Sequence, residues 1–156
     1  LTAAQEAVAE VPIESILKHL YIHIQHNYLL AYVETLYYIW RSGRVPKVAF
    51  WLGNALKFKP ILELSGGGVR LLERPRTQNK AMSRLEDLIS RYVSNRNPQI
   101  VVVHANAPFQ AEDLAERINK NFDWPDLFIT EFTPVIGAHT GPGLVGCAIQ
   151  LKPDEI

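Results

Sequence analysis

The first forty residues change between helical and strand-like spacing of their apolar side chains. Apolar residues recur every three or four positions over 13–24, which predicts an amphipathic helix ending near residue 25. Pro12 suits the first turn of that helix. Residues 27–33 then indicate a short strand, and residues 35–41 a second helix that Gly43 ends.

The middle of the chain predicts a buried helix, a hairpin and a long helix. Residues 46–55 begin at a proline and leave little polar face, so we expect a short helix that is largely buried. Residues 58–64 and 69–74 are β-like runs separated by Ser-Gly-Gly-Gly, which indicates a hairpin because glycine supplies the positive φ of tight turns. Thr77 can cap the amphipathic helix that follows.

The last third predicts a strand–helix–strand unit and a closing strand. The run Ile-Val-Val-Val at 100–103 favours a central strand covered on both faces. A helix over 108–121 and a strand over 127–129 follow it. The chain then continues with a short element at 134–138, a loop over 139–143 and a strand over 144–151.

These elements together predict one α/β domain over residues 1–156. Its mixed β-sheet should contain one βαβ unit and one β-hairpin, with helices packed on it. The right-handed crossover of such units restricts the possible topologies further.

Composition supports a single globular domain and excludes several classes of protein. The chain has 156 residues, 47% of them hydrophobic, and one cysteine, which rules out a disulfide scaffold and a Cys-rich zinc module. No apolar run reaches the roughly 18–20 residues of a membrane span, so we expect a soluble cytoplasmic protein. Because the sequence opens on Leu1 and its single methionine is Met82, we also expect a piece of a longer protein.

The net charge of zero is unevenly distributed along the chain. Residues 41–96 carry 12 basic and 4 acidic side chains, whereas the two flanking segments are acidic. This basic block could serve an anionic ligand, a phosphorylated substrate or an acidic partner surface. It could equally be a solvated face balanced elsewhere in the fold. Nucleic acid is a poorer candidate, because the whole domain is not basic.

The histidines offer two candidate sites. His19, His23 and His26 share one stripe of the first helix, where two of them could ligate zinc, but no third ligand stands at a suitable spacing. We therefore expect a polar edge and no metal. His104 follows the strand at 100–103 and should stand at its carboxyl end, where ligands gather in open α/β sheets. A hydrogen bond to a neighbouring loop is the alternative role for this ring.

The richest segment is Ile-Gly-Ala-His-Thr-Gly-Pro-Gly at 136–143. Its glycines should hold the backbone close and expose peptide N–H groups beside His139 and Thr140, an arrangement that suits an oxyanion. The segment lacks the Gly-Lys-[Ser/Thr] of a P-loop and the Gly-x-Ser-x-Gly of a nucleophile elbow. A glycine-rich turn feeding the last strand is the structural alternative.

Five short blocks follow one another in an order that is specific to one family. They are Ser42-Gly43-Arg44-Val45, Lys59-Pro60-Ile61-Leu62-Glu63, Arg76-Thr77 with Lys80-Ala81, His104-Ala105-Asn106-Ala107, and residues 134–143. With these blocks the chain resembles, from about residue 10 to 151, the C-terminal domain of the DegV family. Members of this family resemble one another as two-domain bacterial fatty-acid-binding proteins of the EDD fold.

The resemblance implies a lipid-binding module rather than an enzyme. A long-chain fatty acid would lie between two domains, with its carboxylate near hydroxyl groups of an N-terminal domain that has no counterpart here. Some members present the bound acid to a separate fatty acid kinase, and no cofactor, metal or catalytic residue is implied. The implied ligand-binding residues are Arg76, His139, Thr140 and Gly141, with Arg44 and His104 in supporting positions.

Two other functions remain open from the sequence. DegV domains resemble part of the dihydroxyacetone-kinase architecture, so His139 could act on a small carbonyl substrate. A regulatory interaction domain would instead use the basic block to hold an acidic partner. For the 156-residue chain by itself we expect a folded but largely empty domain that exposes an apolar face and self-associates through it.

Overall fold

The computed structural model describes residues 2–43, 58–93, 98–122 and 127–151. Six helices lie in these ranges: α1 (Thr2–Val8), α2 (Ile13–Gln25), α3 (Tyr37–Arg41), α4 (Gln78–Val93), α5 (Pro108–Phe122) and α6 (Pro134–Thr140). Six strands lie there as well: β1 (Asn27–Tyr32), β2 (Ile61–Ser65), β3 (Gly68–Glu73), β4 (Gln99–Ala105), β5 (Phe128–Glu131) and β6 (Leu144–Gln150).

The six strands form one mixed sheet in the order β3-β2-β1-β6-β4-β5. β4 and β5 pair in parallel and are connected along the chain by α5, which confirms the predicted strand–helix–strand unit. The other neighbours are antiparallel, and β2 and β3 form the predicted hairpin. Its turn passes through Gly66 and Gly67 at φ 54° and 76°, values that favour glycine at both positions.

The two faces of the sheet are covered differently. One face packs against α4 and α5 in a large cluster that includes Leu30, Tyr32, Leu85, Val102, Leu114 and Cys147. The other face holds a smaller cluster that includes Val33, Leu36, Ile39, Leu62, Ala105 and Leu144. α3 and α6 pack against each other at this second cluster, and α6 also contacts β4.

Several boundaries follow the sequence expectations closely. α2 begins directly after Pro12, and the Lys80 N–H donates to Thr77 Oγ1 at 3.3 Å, which confirms Thr77 as a cap of α4. Gly43 ends α3 at φ 68° and donates its N–H to the Trp40 carbonyl at 3.0 Å. The helix predicted over 46–55 lies outside the described residues, and α1 was not predicted.

The loop predicted over 139–143 is wrong at its first two residues. Pro134 occupies the first turn of α6 after Thr133, and the helix continues through His139 and Thr140. It ends where Gly141 takes a φ of 79°. The glycine content of the segment favoured a loop, but nothing lies within 4 Å of a side chain built on Gly137, so that glycine fits within the helix.

None of the helices in the described ranges combines the length and the apolar character that a membrane span needs.

Candidate functional site

Thr140 lies at the end of α6, with its hydroxyl turned back onto the helix. Thr140 Oγ1 donates to the Ile136 carbonyl at 3.1 Å and lies 3.4 Å from the Gly141 carbonyl. His139 precedes it and is half-buried. The lone pairs of the Thr140 hydroxyl stay available to a donor, and rotation about its Cβ–Oγ1 bond would turn the hydrogen toward another acceptor.

The backbone after Thr140 does not form the predicted cradle of free peptide N–H groups. The Gly141 N–H donates to the Gly137 carbonyl and the Gly143 N–H to the Ala105 carbonyl, each at 2.8 Å. Pro142 has no N–H to offer. That expectation is therefore wrong, because the same glycines that make the segment compact also bond it to α6 and β4. The groups of this segment that could contact a ligand are therefore its side chains.

Both glycines of the segment contact residues that follow β1. A Cβ on Gly141 would overlap the ring of Tyr38, and a Cβ on Gly143 would overlap the Cγ of Glu34. Both glycines also have positive φ, at 79° and 86°. The segment around Thr140 is thus held against residues 34–38 at a distance that only glycine allows.

Glu34 extends the site toward the second block of predicted residues. Its carboxylate pairs with Lys59 Nζ, and the two side chains are 37% and 27% exposed. The Lys59 N–H donates to the Pro75 carbonyl at 2.7 Å, directly before Arg76. A continuous series of contacts therefore connects the Thr140 segment to Arg76.

Arg76 itself is exposed. Its guanidinium carbon lies 5.6 Å from the centre of the Phe58 ring, a cation–π contact that orients the side chain. Arg44, the other predicted arginine, lies outside the described residues.

The buried His104 ring shapes the turn between β4 and α5. Nδ1 accepts from the Ala107 N–H at 3.4 Å and lies 3.9 Å from Glu131 Oε1. That same carboxylate oxygen accepts from the Asn106 N–H at 3.1 Å, where Asn106 has a positive φ of 50°. At the carboxyl end of β4, His104 thus makes a hydrogen bond to a neighbouring loop, which is the alternative role expected for this ring from the sequence.

The two histidines of α2 and His26, which directly follows it, have separate surroundings. His19 Nδ1 lies 2.8 Å from Glu6 of α1, and His26 Nδ1 donates to the Ile22 carbonyl at 2.8 Å, whereas His23 is buried. In the parts of the chain that the structure describes, no three His, Cys, Asp or Glu side chains come together as metal ligands.

The basic block is partly neutralised within the fold. Besides Lys59, Arg70 pairs with Glu63 and Arg84 with Glu73, each at 2.7 Å. Exposed cations of the block, Arg74, Arg76 and Lys80, stand near the start of α4. Glu63 and Glu73 are two of the block's own four acids, so of these three pairs Lys59–Glu34 is the one that balances a charge of the block with an acid from elsewhere in the fold.

A row of apolar side chains crosses the sheet on the face of α3 and α6. The strand registers place Leu29 beside Leu64 and Ala148, and Val101 beside Ala148 and Phe128. None of these five side chains is fully buried, and Leu64 and Phe128 are 38% and 56% exposed. The row continues the buried cluster of this face, because side chains two residues apart on a strand share a face.

Sequence reasoning missed Glu34, Tyr38 and the apolar row. The pairs Gly141–Tyr38 and Gly143–Glu34 are more than a hundred residues apart along the chain. The clustered glycines indicate that another segment approaches the backbone closely, but they do not indicate which segment. The row depends on the register of five strands, which a single sequence does not specify.

Comparison with known proteins identifies relatives of this chain. A family model described as "Uncharacterised protein, DegV family" matches residues 1–152. A DegV domain-containing protein of Streptomyces coelicolor is 41% identical over 122 residues, which cover 78% of this chain and 43% of the relative. One from Listeria innocua is 32% identical and covers 96% of this chain and 53% of its own length.

The fold also agrees with a solved structure. A fatty acid binding DegV family protein from Streptococcus agalactiae is similar with a TM-score of 0.89 at 26% identity, covering 97% of this chain and 54% of that one. The chain spans about half the length of the curated relatives it matches.

Proposed function

This chain belongs to the DegV family, and from that premise we propose that it forms part of a fatty-acid-binding protein. Its role would be to bury the acyl tail and to help hold the carboxylate. The proposal is supported by the similar Streptococcus agalactiae protein, which is a fatty acid binding DegV family protein. A binding role, without a catalytic step on these residues, is part of the proposal.

The apolar row across the sheet is the observation that carries the proposal. It spans five strands, or four strand spacings, so it extends over roughly 19 Å. Each buried methylene contributes about 0.8 kcal/mol, so a tail with about 14 methylenes gains roughly 11 kcal/mol before the cost of association. A half-exposed row of this length suits an elongated apolar ligand better than a small carbonyl substrate.

The residues around Thr140 would supply polar contacts to the carboxylate end of the fatty acid. His139, Thr140 and Arg76 would face its carboxylate, with Gly141 fixing the turn and His104 and Arg44 in support. A hydrogen bond to a charged group contributes about 1.5–3 kcal/mol net, so these residues would set orientation and head-group selectivity while the tail dominates affinity.

The partners of the whole protein are also part of this proposal. Residues outside this chain would complete the carboxylate site, and a fatty acid kinase would act on the presented carboxyl group in the cytoplasm. The exposed cations near the start of α4 offer an acidic kinase surface a place to dock.

Mass spectrometry of ligand extracted from the full-length protein tests the function. We expect a long-chain fatty acid in the wild type and a reduced amount in the double variant Val101→Thr, Phe128→Ser, which makes the apolar row polar. Phe109→Ser is the matched control, because Phe109 is an 80% exposed phenylalanine on α5. A small carbonyl or phosphorylated compound in place of the acid would contradict the proposal.

A further inference from the structure

The ion pair between Glu34 and Lys59 lies next to both parts of the proposed head-group site. On one side the Glu34 side chain lies against Gly143, three residues after Thr140. On the other side the Lys59 backbone is bonded to Pro75, next to Arg76. The ion pair thus connects the residues around Thr140 with those around Arg76.

We propose that Lys59 binds the carboxylate of the fatty acid and that Glu34 is an internal carboxylate that competes for it. In the ligand-free chain Glu34 would occupy Lys59, and the incoming acid would displace it. This inference rests on the proposed function and names a residue of the same site.

The surroundings of the pair support an exchange of partners. The Glu34 and Lys59 side chains are 37% and 27% exposed, so a ligand can reach Lys59 and the displaced Glu34 can return to water. A deeply buried pair would resist this, because separating it leaves a charge without compensation. Here one carboxylate replaces another on the same ammonium, so the charge of Lys59 stays balanced throughout.

The apolar neighbours of the pair match an acid with a long tail. Val33 directly precedes Glu34 and donates its N–H to the Pro60 carbonyl, next to Lys59, at 3.0 Å. Val33, Leu62 and Leu144 belong to the cluster that the half-exposed row continues. An acid whose carboxylate lies on Lys59 therefore has apolar side chains of the same sheet face beside it.

Exchange would also reach the Thr140 segment. When Glu34 leaves Lys59, its methylenes no longer have a fixed place over Gly143. The segment from Thr140 to Gly143 then gains room on the side facing residue 34. Ligand arrival at Lys59 and adjustment of Thr140 would in this way be one coupled event.

Binding of palmitate and of hexadecanol to the full-length protein separates this proposal from a purely structural role. Hexadecanol has the same tail but no carboxylate. We expect Glu34→Gln to bind palmitate several-fold more tightly and Lys59→Met to bind it about tenfold more weakly, with hexadecanol changed less than twofold in both. In the double variant Glu34→Gln, Lys59→Met, the gain in palmitate affinity from Glu34→Gln should disappear.

Glu73→Gln is the matched control, because it removes a partly buried carboxylate at the end of β3 from its partner Arg84 on α4. It should change neither affinity. Weaker palmitate binding by Glu34→Gln, or unchanged binding by Lys59→Met in a variant that keeps the wild-type melting temperature, would overturn the inference. If the wild type binds hexadecanol and palmitate equally, Lys59 has no carboxylate role although lipid binding itself stands. If it binds neither ligand, the proposed function fails together with the inference.

Discussion

At the scale of single residues, Glu63 is a buried acid whose carboxylate accepts three hydrogen bonds. Its carboxylate accepts from Tyr92 Oη at 2.5 Å, Arg70 Nη2 at 2.7 Å and Ser65 Oγ at 3.0 Å. Burial would raise the pKa of the Glu63 carboxyl, but the three hydrogen bonds and the Arg70 charge outweigh it and hold that pKa below its usual value. Burial and the Glu63 contact raise the pKa of Tyr92 to about 12.

The stability of the protein should therefore fall on the acid side through Glu63. Because its pKa is lower in the folded state, the stabilisation is present above the unfolded value of about 4.3 and is lost as the pH falls through the folded value. We expect Glu63→Gln to lower stability at pH 7 and to flatten the dependence between about pH 5 and 3. Urea unfolding at several pH values in that range measures the free energy of unfolding of the wild type and of Glu63→Gln. Glu112→Gln, at an exposed position, is the control. An unchanged slope in Glu63→Gln would contradict this account.

Candidate site residues could be predicted from the sequence mainly where they belong to a motif. The blocks around Arg76 and His139 indicated candidate positions, and the structure gives their surroundings. The pairing of Lys59 with Glu34 was not predictable, because it depends on how two distant segments meet beside the sheet. His104 was placed correctly because the end of a parallel strand can be identified from its apolar run.

At the scale of elements, β6 is confined by the strands on both sides. Gly146 stands opposite Ala31 of β1 and Val103 of β4. A Cβ built on it would lie 2.5 Å from Ala31 Cβ and 2.9 Å from Ala31 Cα and would also overlap the Leu30 carbonyl. Two of these three atoms are backbone atoms, so a rotamer change cannot relieve the overlap.

Gly146→Ala should consequently destabilise the protein by roughly 1–3 kcal/mol, the usual cost of overpacking. The gain in backbone entropy, about 0.5–1 kcal/mol for replacing a glycine, is too small to offset it. Thermal unfolding measures the difference. Gly68→Ala is the control, because its Cβ would lie 3.6 Å from the Ser65 carbonyl and meet nothing closer. Equal melting temperatures for the two variants would show that β1 and β6 can separate without cost.

Element types were largely predictable, whereas their arrangement was not. Apolar periodicity indicated α2, α4, α5 and the hairpin because each has one consistent period. The boundary of α6 was missed because glycine has a low propensity for helix although a single glycine is tolerated. The order of strands depends on contacts across the whole sheet, which local spacing does not encode.

At the scale of the whole molecule, α2 leaves a long apolar stripe uncovered. Ile13, Leu17, Tyr21 and Ile24 are 60%, 48%, 70% and 54% exposed. These residues recur at helical spacing, so they form one continuous surface. Exposed apolar surfaces of this kind are typical of contact with another protein surface.

The 156-residue chain by itself should self-associate through this stripe. We expect sedimentation velocity to show a larger species that grows with concentration, and Leu17→Lys with Tyr21→Lys to restore the monomer. Lysine keeps the helix propensity of α2, so the helix itself should persist. Phe109→Ser, an exposed position on α5, should leave the association unchanged. A wild-type chain that stays monomeric over the same range would disprove the expectation.

The central position of β6 has a consequence for how the protein is made. β6 joins the hairpin side of the sheet, β3-β2-β1, to the side formed by β4 and β5, although it is synthesised after all of these strands. Once residue 131 has been added and while residues 132–143 follow, two half-sheets have open edges and lack their shared neighbour. The sheet can close only when residues 144–150 emerge, so during that interval the open strand edges of nascent chains are exposed to pairing with one another.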